Sequence, residues 1–180
     1  MPLANVQAPR GFLPYKFGGK WVPKRTTRSV TLESGNLAPG DVYTVDTAGA
    51  AARAAAGGIV RGVCEGIVLN PIPASAQGPV SQDYIASGDG GSIIGIEDAD
   101  AEFIVQTGAG FDATTDIGKL CSHVDAAPNA ALAQSRQYLD AAGAAGTNFK
   151  LLAMVDSPAD NATGDYAWVV VRLLLTDQTP

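Results

Sequence analysis

Glycine or proline interrupts this chain every few residues, 21 Gly and 11 Pro in 180. No uninterrupted stretch of good helix formers reaches the length at which a helix holds by itself. Between the interruptions lie short runs with a two-residue period. Arg28-Ser29-Val30-Thr31-Leu32-Glu33 alternates, Asn36-Leu37-Ala38-Pro39-Gly40-Asp41 turns, and Val42-Tyr43-Thr44-Val45 resumes the alternation. Further runs at 59–69, 83–86, 92–97, 101–107, 119–124, 135–139, 149–155 and 166–175 complete a set of short strands. The Ala-rich stretch 48–56 spans only about two helical turns and is bracketed by Gly49, Gly57 and Gly58, so it reads as strand or loop. Ser87-Gly88-Asp89-Gly90-Gly91 supplies residues suited to positive φ, and Glu97-Asp98-Ala99-Asp100 separates two strands at hairpin spacing. The run 166–175 is apolar on both faces, which places it at a sheet centre or a subunit interface. The predicted fold class is all-β, a jelly-roll-like sandwich or β-barrel body.

Charge is segregated along the chain. The first 28 residues carry Arg10, Lys16, Lys20, Lys24, Arg25 and Arg28 and no carboxylate, the first acid being Glu33. The remainder holds all 18 Asp and Glu, so the two parts differ in sign. Pro2, Pro9, Pro14 and Pro23 forbid a regular helix in the opening segment, and neither helical nor strand periodicity is sustained there. The expectation is an extended arm, residues 1–28, reaching on the order of 90 Å when stretched, attached to a body at 29–180. Its aromatic and basic composition is that of interface anchors. The candidate interface residues are Arg10, Phe12, Tyr15, Lys16, Phe17, Lys20, Trp21, Lys24, Arg25 and Arg28.

Length and composition bound the rest. At 180 residues and 46% hydrophobic the chain supplies one core. No segment approaches the ~18 apolar residues of a membrane span, and the N-terminus lacks the apolar block of a secretory signal. The expectation is a soluble protein made in a reducing cytoplasm, with no membrane partner. A net charge of −6 argues against a body that wraps nucleic acid.

Catalytic chemistry has few candidates. His123 is the only histidine, and Cys64 and Cys121 are the only thiols. Cys121 and His123 lie two apart, on one face of a regular strand, which permits a thiolate pair but equally suits ordinary packing. The Cys and His residues lack the spacing of a structural zinc site. Glu97, Asp98, Asp100 and Glu102 lack the alternating ligand loop of a calcium site and read as a solvated hairpin tip. Gly108-Ala109-Gly110 is followed by Phe111-Asp112 rather than the Lys-Ser or Lys-Thr of a phosphate cradle. The reading is a non-enzymatic protein with no catalytic residue, cofactor or metal.

Four motifs, in order, resemble the capsid decoration or cement proteins of tailed phages. They are Ala8-Pro9-Arg10-Gly11-Phe12-Leu13-Pro14, Pro39-Gly40-Asp41-Val42-Tyr43, the Gly-Val and Gly-Ile run 59–70, and Gly164-Asp165-Tyr166-Ala167-Trp168. The Ala-rich stretch 48–56 and the connection 71–79 depart from that pattern. The resemblance implies a β body on the outer face of an icosahedral phage head, bound as homodimers or homotrimers. Its arm would bridge neighbouring major capsid proteins against genome pressure. A carbohydrate-binding or host-adhesion sandwich is the alternative, and would require an aromatic platform on the body. After residue 28 the only tryptophan is Trp168, in an apolar run.

Overall fold

The computed structural model describes residues 9–16, 24–30, 36–68, 85, 91–99, 101–129, 132–141, 146–155, 161 and 163–174. Among them the chain is all-β. Its strands are β1 (Leu13–Lys16), β2 (Arg25–Ser29), β3 (Val42–Val45), β4 (Ala51–Arg53), β5 (Gly62–Val68), β6 (Ser92–Ile96), β7 (Glu102–Gln106), β8 (Leu120–Val124), β9 (Tyr138–Asp140), β10 (Phe149–Met154) and β11 (Trp168–Leu173). They form a sandwich of two antiparallel sheets. One has six strands in the order β1-β7-β11-β10-β8-β9, and the other has five in the order β2-β6-β5-β3-β4.

Period-two alternation sets each strand's facing. Along β7, Phe103 and Val105 are fully buried while Glu102 and Ile104 are half-buried. Val169, Val171 and Leu173 of β11 point into the same core. From the five-stranded sheet come Val42, Val63 and Ile96, so the main core lies between the sheets. The opposite face of that sheet also buries apolar side chains, with Tyr43, Cys64 and Ile93 under Val30, Leu37 and Ile85. Curvature makes this second core. A parallel bridge from Val30 to Ala51 joins the end of β2 to β4, and another from Thr107 to Leu139 joins the end of β7 to β9, so each sheet bends back on itself.

Within the run expected at 166–175, β11 is a sheet centre, since it lies between β7 and β10. The alanine-rich stretch contributes β4, preceded by a turn in which the Asp46 carboxylate accepts from the N–H groups of Ala48 and Ala50. The expected hairpin at 97–100 is corrected. β6 and β7 belong to different sheets, so this connection crosses the sandwich, and Ala101 is buried on the way.

The larger correction concerns residues 1–28. Their described parts are not a separate arm. β1 pairs with β7 through Leu13–Ile104 and Pro14–Phe103, and β2 pairs with β6 along its whole length from Arg25–Ile96 to Ser29–Ser92. The opening segment thus supplies one edge strand to each sheet. Phe12 is fully buried and stacks on Phe149 with ring centroids 4.5 Å apart. Losing such a ring costs about 3–5 kcal/mol. Its backbone N–H donates to the Gly40 carbonyl at 2.9 Å. Gly11, at φ +73°, lies so close that a Cβ there would come within 2.4 Å of Ser135 Oγ and 2.5 Å of the Gly40 oxygen. Sequence periodicity missed these strands because each is short and proline breaks the pattern. Their apolar partners lie far along the chain.

Candidate functional site

Among the described residues, a dense polar constellation spans the five-stranded sheet. Tyr43 on β3 has its register partner at Gly62 on β5, and Cys64 on β5 faces Gly95 on β6. Both glycines are cut away for the Tyr43 ring. A Cβ on Gly95 would stand 1.9 Å from Tyr43 Oη, and one on Gly62 2.8 Å from it. The ring crosses two strands through this slot, and its hydroxyl donates to Glu97 Oε1 at 2.9 Å. From the other side Arg28 on β2 donates to the same carboxylate through Nε at 2.7 Å and Nη2 at 2.9 Å. Arg61 brings its Nε to 3.5 Å from Oε2. The result is a side-chain strut from β3 to β2, beneath which the Glu97 side chain is 2% exposed.

Electrostatics follow from this packing. Burial alone would raise the Glu97 carboxyl, but hydrogen bonds from Arg28 and Tyr43 and the charges of Arg28 and Arg61 outweigh it and hold the group below the usual carboxylate range. The Arg28 guanidinium is raised, chiefly by its hydrogen bonds to Glu97. Burial, then the adjacent Glu97 charge, push the Tyr43 phenol up. All three therefore stay in their ordinary charge states near neutrality. A cleft of about 210 Å³ opens beside them, lined by Arg28, Thr44, Val45, Ile59 and Arg61.

The residues expected to form an interface divide into three sets. Arg10, Tyr15 and Lys24 are exposed, Tyr15 at 49%. Lys16 ends β1, while Phe17, Lys20 and Trp21 lie outside the described residues. Phe12 is corrected out of the set because it is core, and Arg28 is bound to Glu97 within its own chain with its side chain 22% exposed. Arg25 also has an internal partner, donating from Nη2 to Glu65 Oε1 at 2.7 Å, although its side chain is 43% exposed. Alternation of aromatic and basic residues gave no sign of which side chains in the segment point inward.

The thiols and the histidine are built into the core. Cys121 and His123 do share the buried face of β8, as their spacing predicted. Burial raises the Cys121 thiol to about 11 and raises Cys64 further, which disfavours the nucleophilic thiolate. Burial lowers His123, whose Nε2 sits 3.0 Å from the Ala54 carbonyl oxygen. Glu97 and Glu102 belong to no shared acidic tip: Glu97 holds the strut, and Glu102 accepts from Arg172 Nη2 at 3.0 Å.

One ionisable group escaped the sequence reading. Asp41 is fully buried at the turn that receives Phe12, and its Oδ2 accepts from the Ala38 N–H at 2.9 Å. Oδ1 has no hydrogen-bond partner among the described residues. Burial raises this carboxyl to about 7 against the opposing effects of Ser135, the Ala38 N–H and Arg53. The Pro-Gly-Asp turn marked the position, but the chain around it gave no sign of its depth. In comparisons with protein-family models, curated proteins and solved structures, nothing matches this chain.

Proposed function

We propose that this chain is a non-enzymatic capsid decoration protein, seated on the outer face of an icosahedral phage head and bridging neighbouring major capsid proteins. The observation that carries the reading is the ordered set of four motifs, together with the way two of them meet in space. The opening motif and the Pro39–Tyr43 motif are joined where the Phe12 N–H donates to Gly40, so a shared local structure accounts for both. The fourth motif closes a separate loop, with Gly164 donating to the Phe111 carbonyl and Asp165 Oδ1 accepting from Gly110.

Binding in this reading is done by the face of the sandwich rather than by a free arm. Leu13 at 39% and Tyr15 at 49% exposure, both on β1, supply apolar contact, and Arg10 and Lys24 supply charge. Pro14 at the middle of β1 removes a backbone donor, so this edge favours side-chain contact over strand addition. Dimers or trimers would multiply modest contacts through effective concentration. The test is co-sedimentation with emptied shells built from the major capsid protein encoded alongside this chain. Wild type should pellet with shells, and a Leu13→Ser, Tyr15→Ser variant that keeps its dispersed amide spectrum should stay largely in the supernatant. A wild-type protein that ignores such shells would end the proposal.

A further inference from the structure

The notch that seats the start of the chain is built beside a buried carboxyl. Gly11 packs between the Gly40 carbonyl and Ser135, and a Cβ on Gly40 would in turn stand 2.9 Å from the Arg10 carbonyl oxygen. Phe12 then donates its N–H to Gly40 and lays its ring on Phe149. Asp41 follows directly, wholly buried, with its N–H donating to Ala38 and its carbonyl accepting from Cys64, so the backbone holds the carboxyl inside. Ser135 links the two features, because it lies against Gly11 and its hydroxyl favours the ionised form of Asp41. Among the described residues the surrounding charges are few. Arg53 of β4 favours the carboxylate and Asp125 opposes it, but those two are themselves paired at 2.7 Å. Cys64 of β5 brings a thiol that burial keeps neutral. Gln137 is turned to the Val42 N–H and to Asp125, while Arg136 beside it and Arg10 on the seated segment are exposed. Oδ2 has the Ala38 N–H, Oδ1 has no hydrogen-bond partner, and burial outweighs every favourable contact.

We infer that the Pro39–Asp41 turn is a pH-operated latch for the start of the chain: residues 9–12 stay seated between Gly40 and Ser135 while Asp41 carries its proton, and lift away when it ionises. A charge in this notch has no route to water while the segment is in place, and lifting Arg10 and Gly11 admits water to it. The sign follows from the raised carboxyl. Opening is insensitive to pH below about 4, grows by up to about tenfold per unit above that, and levels off above about 7. A rise from 3.8 to about 7 therefore makes the opened form about a thousandfold more populated in alkali than in acid. The seat runs straight into β1, so the latch also governs how firmly Leu13 and Tyr15 are presented. That consequence for shell binding rests on the decoration reading, and the latch does not.

Native-state hydrogen exchange of the full chain, read by NMR between pH 4 and pH 8 and corrected for intrinsic exchange rates, tests this. Protection of the Phe12 amide should fall by about a thousandfold across the range. Its opening should respond little to added urea, unlike that of Leu151, whose N–H donates to Lys119 at 3.0 Å inside the six-stranded sheet and exchanges through full unfolding. In Asp41→Asn the Phe12 protection should stay level with pH to within about threefold. A Phe12 urea slope equal to that of Leu151 would mean that the segment leaves only when the whole chain unfolds, and a fall that persists in Asp41→Asn would assign the proton elsewhere; either overturns the latch. Wild type alone gives an independent reading. The Asp41 Cγ resonance should titrate near the pH at which the fall in Phe12 protection levels off, and a midpoint below about pH 5 overturns the latch as well. No shell enters these measurements, so a failed latch leaves co-sedimentation untouched, and a protein that ignores shells leaves the latch standing.

Discussion

Replacing Asp41 by Asn removes a charge that the folded chain must bury whenever this carboxyl ionises. Its ordinary value of 3.8 is raised by burial to about 7. The folded carboxyl therefore keeps its proton to higher pH than the unfolded one, and folding is favoured by acid. The contribution is fully present below about pH 4, declines as the pH rises towards 7, and is absent above that. At 1.36 kcal/mol per unit, a rise of about three units corresponds to ~4 kcal/mol between the two plateaus. Asn retains an acceptor for the Ala38 N–H and cannot ionise. Relative to wild type, the Asp41→Asn protein should gain about 4 kcal/mol on moving from pH 4 to pH 8, whatever constant cost its amide adds at both. Urea unfolding of the two proteins at several pH values measures this directly, since other titrating groups cancel in the difference. A stability difference that stays constant to within about 1 kcal/mol over that range would refute the assignment of a proton to buried Asp41.

Four further outcomes follow from the same packing. Gly95→Ala places a Cβ 1.9 Å from Tyr43 Oη and should destabilise by about 1–3 kcal/mol; in a Tyr43→Ala background most of that loss should vanish, and simple additivity of the two changes would count against the slot. Glu97→Gln leaves Arg28 and Arg61 without the charge that gathers them and should cost about 2–4 kcal/mol, less than a fully buried pair because Arg28 is 22% exposed; a melting temperature unchanged from wild type would contradict the strut. Deleting residues 1–28 strips an edge strand from each sheet and should abolish the cooperative thermal transition, whereas a well-dispersed amide spectrum from the truncated chain would restore the idea of an independent arm. Cys64 and Cys121 should react with a disulfide reagent only as fast as the protein opens, and immediate modification of both in the native state would show the thiols to be exposed.

The strand pattern of the body was legible because alternation and breakers act locally. Runs at 42–45, 92–97, 101–107 and 149–155 became strands at 42–45, 92–96, 102–106 and 149–154. The opening segment was misread for a physical reason: its burial depends on partners at Phe149, Gly40 and the far strands, none of which leaves a trace in a short proline-interrupted stretch. Charge segregation along the chain gave no sign that Arg28 pairs with Glu97 inside it. Gly62 and Gly95 looked like interruptions within strands, yet they are clearances for an aromatic ring that only the sheet register brings across them. The same register unites Arg28, Arg61 and Glu97, so the cleft was invisible in one dimension.

The placement of β1 and β2 at opposite sheet margins also governs how the chain is made. Both strands must wait for mates synthesised about ninety residues later in the case of β1 and about sixty-five in the case of β2. During that interval Phe12 has no Phe149 to stack on, and its ring stays exposed beside every other nascent copy on the same message. Synthesis of β10 and β11 later still supplies Phe149 to Phe12 and fills the place beside β7, which completes the six-stranded sheet around β1.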